Sequence, residues 1–289
     1  MLNLSNIIIG SDKFKHLNQN QLSKFLDHAY SLGINKIDTA PMYQSEKMIG
    51  TYLQSNPNFL IQTKTKFVTT AGKPLQVKDT FRISQENLKS HRIDCLFFHN
   101  TPINMISKKD VEEISYLKES GQVSKIGYSG HNFKISDLEK KSNLDSIMIT
   151  FNALDISDEH LLQFSKYTIH IKRPMANFVF KPNLIKEFKA NVKKAFNIHT
   201  PIDLQSYEFR FEKMKKPQKT FYKNLIFYLK FTTLFSPNAN YVFGVSSISH
   251  LNQIINATRI LSSDLNDDII NYYTRLKEMH LEYHWKSLP

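Results

Sequence analysis

The chain has a single cysteine, few glycines and no long hydrophobic run in its 289 residues. One cysteine, Cys95, excludes a disulfide within the chain and is typical of a reducing compartment. Nowhere do about 18 apolar residues follow one another, so no membrane-spanning helix is predicted. The apolar run at residues 7–9 is too short for a secretory signal and lacks a basic leader. We therefore expect a cytoplasmic protein without a membrane partner.

Glycine is missing at the place where a doubly wound dinucleotide-binding sheet would need it. The turn after the first apolar run begins Gly10-Ser-Asp-Lys and lacks the glycine-rich fingerprint of that fold. The length of 289 residues is close to the ~250 residues of a typical (β/α)8 barrel, and a hydrophobic content of 41% is sufficient for its core. We therefore expect one domain over residues 1–289.

Short apolar or β-branched runs alternate with amphipathic helical stretches along the chain. Strands are predicted over residues 7–9, 36–38, 59–64, 94–99, 124–129, 146–151, 168–172 and 241–244. Helices are predicted from residue 45 onward and over residues 21–32, 77–89, 111–120, 160–165, 221–235 and 251–261. The alternation predicts an α/β fold, a (β/α)8 TIM barrel, with a long basic loop at residues 177–216 after strand seven and a helical carboxy-terminal segment at residues 264–289.

The formal net charge of +12 is concentrated in one part of the chain. Residues 181–235 contain twelve Lys or Arg against four Asp or Glu. Such a segment suits an anionic partner such as nucleic acid, a phosphorylated sugar or a membrane, or it is a solvated surface. We favour the solvated surface, because the basic residues do not form a recognised nucleic-acid module. Nucleic acid is the least favoured partner.

Residues 33–50 are the stretch where a predicted strand runs into a predicted helix. Ile37 suits a buried parallel strand, a Thr-Ala-Pro sequence ends it, and Ser45 begins the helix. Asp38 and Tyr43 are therefore expected at the rim where parallel α/β folds collect catalytic side chains. The stretch reads Gly-x-Asn-x-Ile-Asp-Thr-Ala-x-x-Tyr, followed by Ser, Glu and a later Gly. This pattern resembles the signature of the aldo-keto reductase family.

Three further stretches extend the resemblance to roughly residues 5–260. They are Ile61-Gln-Thr-Lys64, Leu96-Phe-Phe-His99 and the segment at residues 117–129. The resemblance implies a nicotinamide cofactor, NADPH with NADH as the alternative, and a small-molecule carbonyl substrate. No metal ligands are assigned. The catalytic tetrad that it implies consists of Asp38, Tyr43, Lys64 and His99.

The chemistry of carbonyl reduction accounts for each residue type in this tetrad. The reaction needs a hydride at carbon, which the cofactor supplies, and a proton at oxygen. Tyr43 is the predicted proton donor, and we expect the Lys64 ammonium to lower the pKa of its phenol from the usual ~10. Asp38 keeps Lys64 charged, and His99 donates a hydrogen bond to the substrate oxygen. Lys66 is the alternative lysine, two residues further along the strand and in step with Lys64.

The resemblance also implies cofactor contacts at the strand ends and in the loop after strand eight. These contacts are Ser129, Asn152, Lys172, Arg173, Gly244, Ser246, Ser247, His250 and Gln253. Ser246 and His250 are placed to meet a phosphate at a helix amino terminus, without the Arg or Lys that is often present there. Where the family usually has Asn, Gln, an aromatic residue and Asn, this chain has Gly130, Met148, Lys172 and Ile254.

Three functional hypotheses follow from these patterns. The favoured one is an NADPH-dependent oxidoreductase that reduces an aldehyde or ketone. The basic content of residues 177–216 favours a sugar-like or anionic substrate for it. The first alternative is a non-catalytic barrel that acts as a binding or regulatory subunit, and the second is a nucleic-acid binder with a basic surface.

Overall fold

The structure, a computed structural model, describes residues 2–66, 75–89, 92–131, 133–141, 143–153, 155–175, 221–259 and 266–283. Its sheet is a closed barrel of eight parallel strands in sequence order, with the last strand paired to the first. The predicted (β/α)8 barrel is thereby confirmed. The strands are β1 Ile7–Gly10, β2 Lys36–Asp38, β3 Leu60–Thr65, β4 Ile93–His99, β5 Val123–Ser129, β6 Ser146–Thr150, β7 Thr168–Lys172 and β8 Asn240–Phe243.

Helices surround the barrel and connect successive strands. Those within the described residues are α1 Gln19–Ser31, α2 Glu46–Leu53, α3 Val77–Leu88, α4 Lys108–Glu119, α5 Ile135–Glu139, α6 Phe221–Phe235, α7 Ile248–Arg259 and α8 Asn266–Tyr283. The predicted basic loop at residues 177–216 lies outside the described residues, and α8 lies in the predicted carboxy-terminal segment. The organisation as a single domain over residues 1–289 stays a prediction.

The connection between β6 and β7 differs from the prediction. A helix was expected at residues 160–165, but the structure has a short 3-10 turn, Glu159–Leu161, in that connection. Bonds from Leu161 N–H to the Asp158 carbonyl and from Leu162 N–H to the Glu159 carbonyl close tight turns instead of a helix. Leu161 is fully buried, so this segment covers its apolar residues without helical periodicity. Helix α5 was not predicted, because five residues are too few for a periodic pattern.

Alternating side chains of the strands separate two hydrophobic regions. The larger core lies between the strands and the surrounding helices. A second cluster, which fills the barrel interior, consists of Ile8, Cys95, Phe97, Met148 and Val242. The polar residues of the same strands that come later in this alternation emerge at the carboxyl ends, where a barrel concentrates its functional groups.

Helix α2 is held tightly between β3 and α3. The buried Glu46 carboxylate, at the start of α2, accepts hydrogen bonds from Thr63 Oγ1 at 2.7 Å and Ser84 Oγ at 2.9 Å. One turn later, Gly50 packs against the end of α3, where an added Cβ would lie 2.1 Å from the Asn87 carbonyl oxygen. Only glycine permits this close approach of the two helices.

We expect Gly50→Ala to lower the free energy of unfolding by about 1–3 kcal/mol, because the methyl group would overlap backbone atoms that cannot rotate away. Urea unfolding followed by circular dichroism would measure the change. Thr51→Ala, at the adjacent exposed position of α2, is the control and should stay within about 0.5 kcal/mol of the parent. Equal stability of the two variants would contradict the packing argument.

Candidate active site

A buried ion pair joins the ends of β2 and β3. Lys64 Nζ donates to both Asp38 carboxylate oxygens at 2.7 Å and to the Thr39 carbonyl at 2.8 Å. Gln62 Nε2 adds a fourth hydrogen bond, to Asp38 Oδ1 at 2.9 Å. Burial alone would lower the pKa of Lys64, but Asp38 and Tyr43 outweigh burial and raise it. Lys64 is therefore a fixed ammonium with a compensated charge.

Tyr43 is held over this ammonium by a short 3-10 turn, Pro41–Tyr43, which follows β2. Lys64 Nζ lies 4.9 Å from the centroid of the Tyr43 ring. The sequence-based expectation of a lowered phenol pKa is wrong for this structure. Burial raises the pKa of Tyr43 more than Lys64 lowers it, so the phenol keeps its proton at neutral pH.

His99 ends β4 on the opposite side of Tyr43. The two ring centroids lie 6.2 Å apart and the ring planes are nearly perpendicular, at 89°. Burial, together with the charges of Lys64 and Lys172, lowers the pKa of His99 to about 2. The imidazole is therefore neutral over the whole range of ordinary pH, so it can donate an N–H without carrying a charge.

Lys66, the alternative lysine, points away from this group. Strand β3 ends at Thr65, and Lys66 has a left-handed backbone with φ of 46°. Its Nζ lies 2.8 Å from Asp110 Oδ2 in helix α4, and its carbonyl accepts a hydrogen bond from Thr101. The expectation that Lys66 stays in step with Lys64 is thus wrong, because the backbone leaves the strand conformation before Lys66.

The four tetrad side chains line one cavity of about 480 Å³ at the carboxyl ends of the strands. Of the residues expected to contact a cofactor, six also line it: Ser129, Lys172, Arg173, Gly244, Ser246 and His250. Asn152, Ser247 and Gln253 do not. The structure therefore brings most of the predicted site together in one cavity.

The loop after β8 forms one end of the cavity and leads into α7. Ser247 Oγ accepts a hydrogen bond from His250 N–H at 3.2 Å, so Ser247 caps the helix without lining the cavity. The first turn of such a helix offers N–H groups to an anion. Across the cavity, a Cβ added at Gly10 would lie 3.2 Å from Val242 Cγ1, so glycine lets β1 and β8 approach closely here.

Two of the expected cofactor residues have buried oxygens without a hydrogen-bond partner in the described part of the chain. They are Ser129 Oγ in the cavity wall and Gln253 Oε1 in α7. Buried polar atoms are normally paired, so both oxygens suit a polar ligand such as a nicotinamide dinucleotide. Asn152 has a different place, since its Nδ2 donates to the Arg173 carbonyl at 3.1 Å and shapes the turn after β7.

The departures from the family pattern have physical reasons in the neighbouring side chains. A Cβ at position 130 would lie 2.3 Å from the Tyr128 ring, and the Tyr128 hydroxyl is held by the Thr101 carbonyl at 2.9 Å. Glycine is therefore required where the family usually has Asn. Met148 extends the apolar interior into the cavity, and Ile254 is fully buried in the core.

Sequence reasoning missed several residues of the cavity wall. Met42, Pro174 and Met175 contribute apolar surface, and Asp12 and Lys13 contribute charge from the 3-10 turn after β1. Met42 and Met175 each lie within a few residues of a predicted site residue, and that proximity was the only signal for them. The charged turn follows the first strand directly, as rim residues of a barrel do.

Comparison with known proteins agrees with the geometry. The sequence profile of the aldo/keto reductase family matches residues 6–274. The chain therefore belongs to the aldo/keto reductase family. It is 25% identical over 207 residues to the uncharacterized oxidoreductase YqkF of Bacillus subtilis (strain 168), a match that covers 64% of this chain and 64% of that relative.

Solved structures with the same fold are also aldo-keto reductases. The holo form of aldo-keto reductase AKR11C1 from Bacillus halodurans superposes with a TM-score of 0.70 at 19% identity, covering 92% of this chain and 91% of that one. A putative aldo-keto reductase from Pseudomonas aeruginosa superposes with a TM-score of 0.63 at 16% identity, covering 89% and 90%. At these identities the likeness shows the fold alone.

Two searches of the described residues concern other kinds of site. None of their helices combines the length and apolar character needed to cross a membrane. Within the same residues, no group of three or more His, Cys, Asp or Glu side chains is arranged to hold a metal ion.

We expect Lys64→Met to lower the free energy of unfolding by about 3–5 kcal/mol, because Asp38 would remain as a buried carboxylate without its cation. Urea unfolding at neutral pH would measure this loss. The double variant Asp38→Asn, Lys64→Met removes the unpaired charge and should recover most of the stability. A single variant as stable as the parent would show that the pair does not carry this burial cost.

Proposed function

We propose that the chain is an NADPH-dependent oxidoreductase that reduces an aldehyde or ketone to an alcohol. One observation carries this proposal: a protonated phenol, a charged lysine paired with an aspartate and a neutral imidazole face a single open cavity. Together these groups can deliver one proton to a carbonyl oxygen and stabilise the charge that develops on it. The same arrangement is our reason for preferring a reductase to a non-catalytic barrel.

Tyr43 and Lys64 divide the work of proton transfer. A bound nicotinamide supplies the hydride that this reaction requires. The raised pKa of Tyr43 keeps the proton on the phenol until a carbonyl oxygen accepts it. Lys64, whose own pKa is raised, remains charged and stabilises the phenolate left behind. Asp38 takes two hydrogen bonds from Lys64 and so positions the ammonium for this role.

His99 orients the substrate oxygen in this proposal. Its pKa of about 2 keeps the ring neutral, so a hydrogen bond from its N–H polarises the carbonyl without competing for the Tyr43 proton. The rings of His99 and Tyr43 are nearly perpendicular at 6.2 Å, which leaves room for an oxygen atom within reach of both. Apolar surface from Met42, Met148 and Met175 limits water around the reacting group.

The residues at the other end of the cavity fit an anionic dinucleotide. Ser246 and His250 stand at the amino terminus of α7, and Lys13 lies close enough to His250 for its charge to act with burial in lowering the pKa of that histidine. These groups favour an additional phosphate, and therefore NADPH over NADH. Without an arginine at position 246, the preference is expected to be small.

We expect NADPH to bind more tightly than NADH by about 1 kcal/mol, roughly a fivefold ratio of Kd values. Titration of nucleotide fluorescence would give both constants. Ser246→Arg should increase the ratio, since a guanidinium can bind a phosphate with two hydrogen bonds. Tighter binding of NADH by the parent would overturn the cofactor assignment.

We expect Tyr43→Phe to lower kcat by about 100-fold or more, because it removes the donated proton but keeps the ring. Reduction of a panel of aldehydes, followed by NADPH absorbance, would measure it. NADPH affinity and the unfolding midpoint should be preserved.

Tyr116→Phe, at a tyrosine that is 65% exposed on α4, is the matched control for the loss of a hydroxyl and should keep the parent rate. A Tyr43→Phe variant with the parent rate would show that the phenol is not the acid. A parent that reduces no carbonyl compound would favour the non-catalytic barrel.

A further inference from the structure

Lys172 is the last residue of β7 and faces the cavity. Side chains of a strand alternate between its two faces, so Lys172 shares a face with His170. The His170 ring packs at 5.3 Å from Phe97, a member of the cluster in the barrel interior. Lys172 therefore projects from the barrel interior into the cavity mouth, and it lines the same cavity as the tetrad.

No hydrogen bond or ion pair reaches the Lys172 ammonium from the described residues, although this side chain is only partly exposed. Two carboxylates are near enough to act on it at a distance, but both are engaged elsewhere. Asp38 is bound to Lys64, and Asp158 accepts a hydrogen bond from Thr150 N–H at 3.2 Å. Burial and the charge of Arg173 lower the pKa of Lys172 to about 7. An ammonium in this position lacks a counter-ion, which a bound anion would supply.

The position of Lys172 separates it from the end of the cavity assigned to the cofactor phosphates. Its charge lowers the pKa of His99 and acts on Lys64, so it lies within electrostatic reach of the tetrad. Lys13, in contrast, acts on His250 at the amino terminus of α7. The cavity thus has two separate basic regions, and the one that contains Lys172 is beside the reacting groups.

We propose that Lys172 binds a carboxylate on the substrate, so that the substrate is a short aldehyde or ketone carrying an acidic group. This inference rests on the reductase function proposed above. A negative group held by Lys172 would place the remainder of a small molecule between His99 and Tyr43. The methionine side chains that line the cavity, Met42, Met148 and Met175, would cover its carbon chain. The other source of an anion here is a cofactor phosphate, which the test separates.

Binding of malonate, which contains two carboxylates and no carbonyl to reduce, tests the site without turnover. Calorimetry on the full chain, with and without NADPH, should show a Kd at least about tenfold higher for Lys172→Met than for the parent. Lys172→Arg keeps the cation and should retain most of the affinity. Lys47→Met, at an exposed lysine of α2 outside the cavity, is the control for net charge and should bind malonate like the parent.

The same variants distinguish the two sources of the anion. If Lys172 serves the substrate, Lys172→Met should bind NADPH within about threefold of the parent. Unchanged malonate binding in Lys172→Met would overturn the proposal. Weakened NADPH binding together with unchanged malonate binding would assign the cation to a cofactor phosphate, and would overturn it as well. Unfolding curves for each variant exclude loss of the fold as the cause.

A pair of matched aldehydes then connects the site to catalysis. For 4-oxobutanoate, Lys172→Met should raise KM at least about tenfold with little change in kcat, whereas the KM of butanal, which lacks the carboxylate, should not change. Equal effects on both aldehydes would overturn the substrate assignment. If the parent reduces neither aldehyde but binds malonate through Lys172, the reductase proposal fails and the anion site stands. If it reduces both and Lys172→Met changes neither KM, only the anion site fails.

Discussion

The buried ion pair of Asp38 and Lys64 is the contact on which the rest of the site depends. Removing two charges from water costs several kcal/mol each, so such a pair persists only where further hydrogen bonds complete it. Thr39 and Gln62 provide these bonds, and both depend on the register in which Asp38 of β2 lies beside Gln62 of β3. A slip of one residue would turn Lys64 to the outer face of the barrel. The strand register and the chemistry of the cavity are therefore one constraint.

The strands and the place of the tetrad could be predicted from the sequence, because both follow from short-range patterns. Parallel strands buried on both faces appear as continuous apolar runs, and the run that ends in His99 coincides with β4 to within one residue. A residue at the end of such a run must lie at the rim of the barrel. The position of Lys64 and His99 in one cavity followed from this rule and from the resemblance of their motifs to the family.

The properties that depend on three-dimensional neighbours could not be predicted in this way. Lys66 leaves the site because its backbone has a positive φ and Asp110 of α4 is within reach, and neither fact is visible in the alternation of β3. The phenol of Tyr43 has a raised pKa because burial exceeds the effect of one nearby lysine. Burial of a side chain by distant parts of the chain has no local sequence pattern. The roles of residues 177–216 and the cytoplasmic location stay predictions.

Lys64 and Lys172 show how one residue type can have two functions in one cavity. Lys64 donates all three of its protons to protein oxygens, so its charge belongs to the fold and to Tyr43. Lys172 has no such acceptor among the described residues, and its charge is directed at whatever occupies the cavity. Family membership accounts for the barrel, whereas Lys172 stands where the family usually has an aromatic residue. Because a fold hosts many substrates by changing its cavity wall, specificity should be sought in such departures and not in the tetrad.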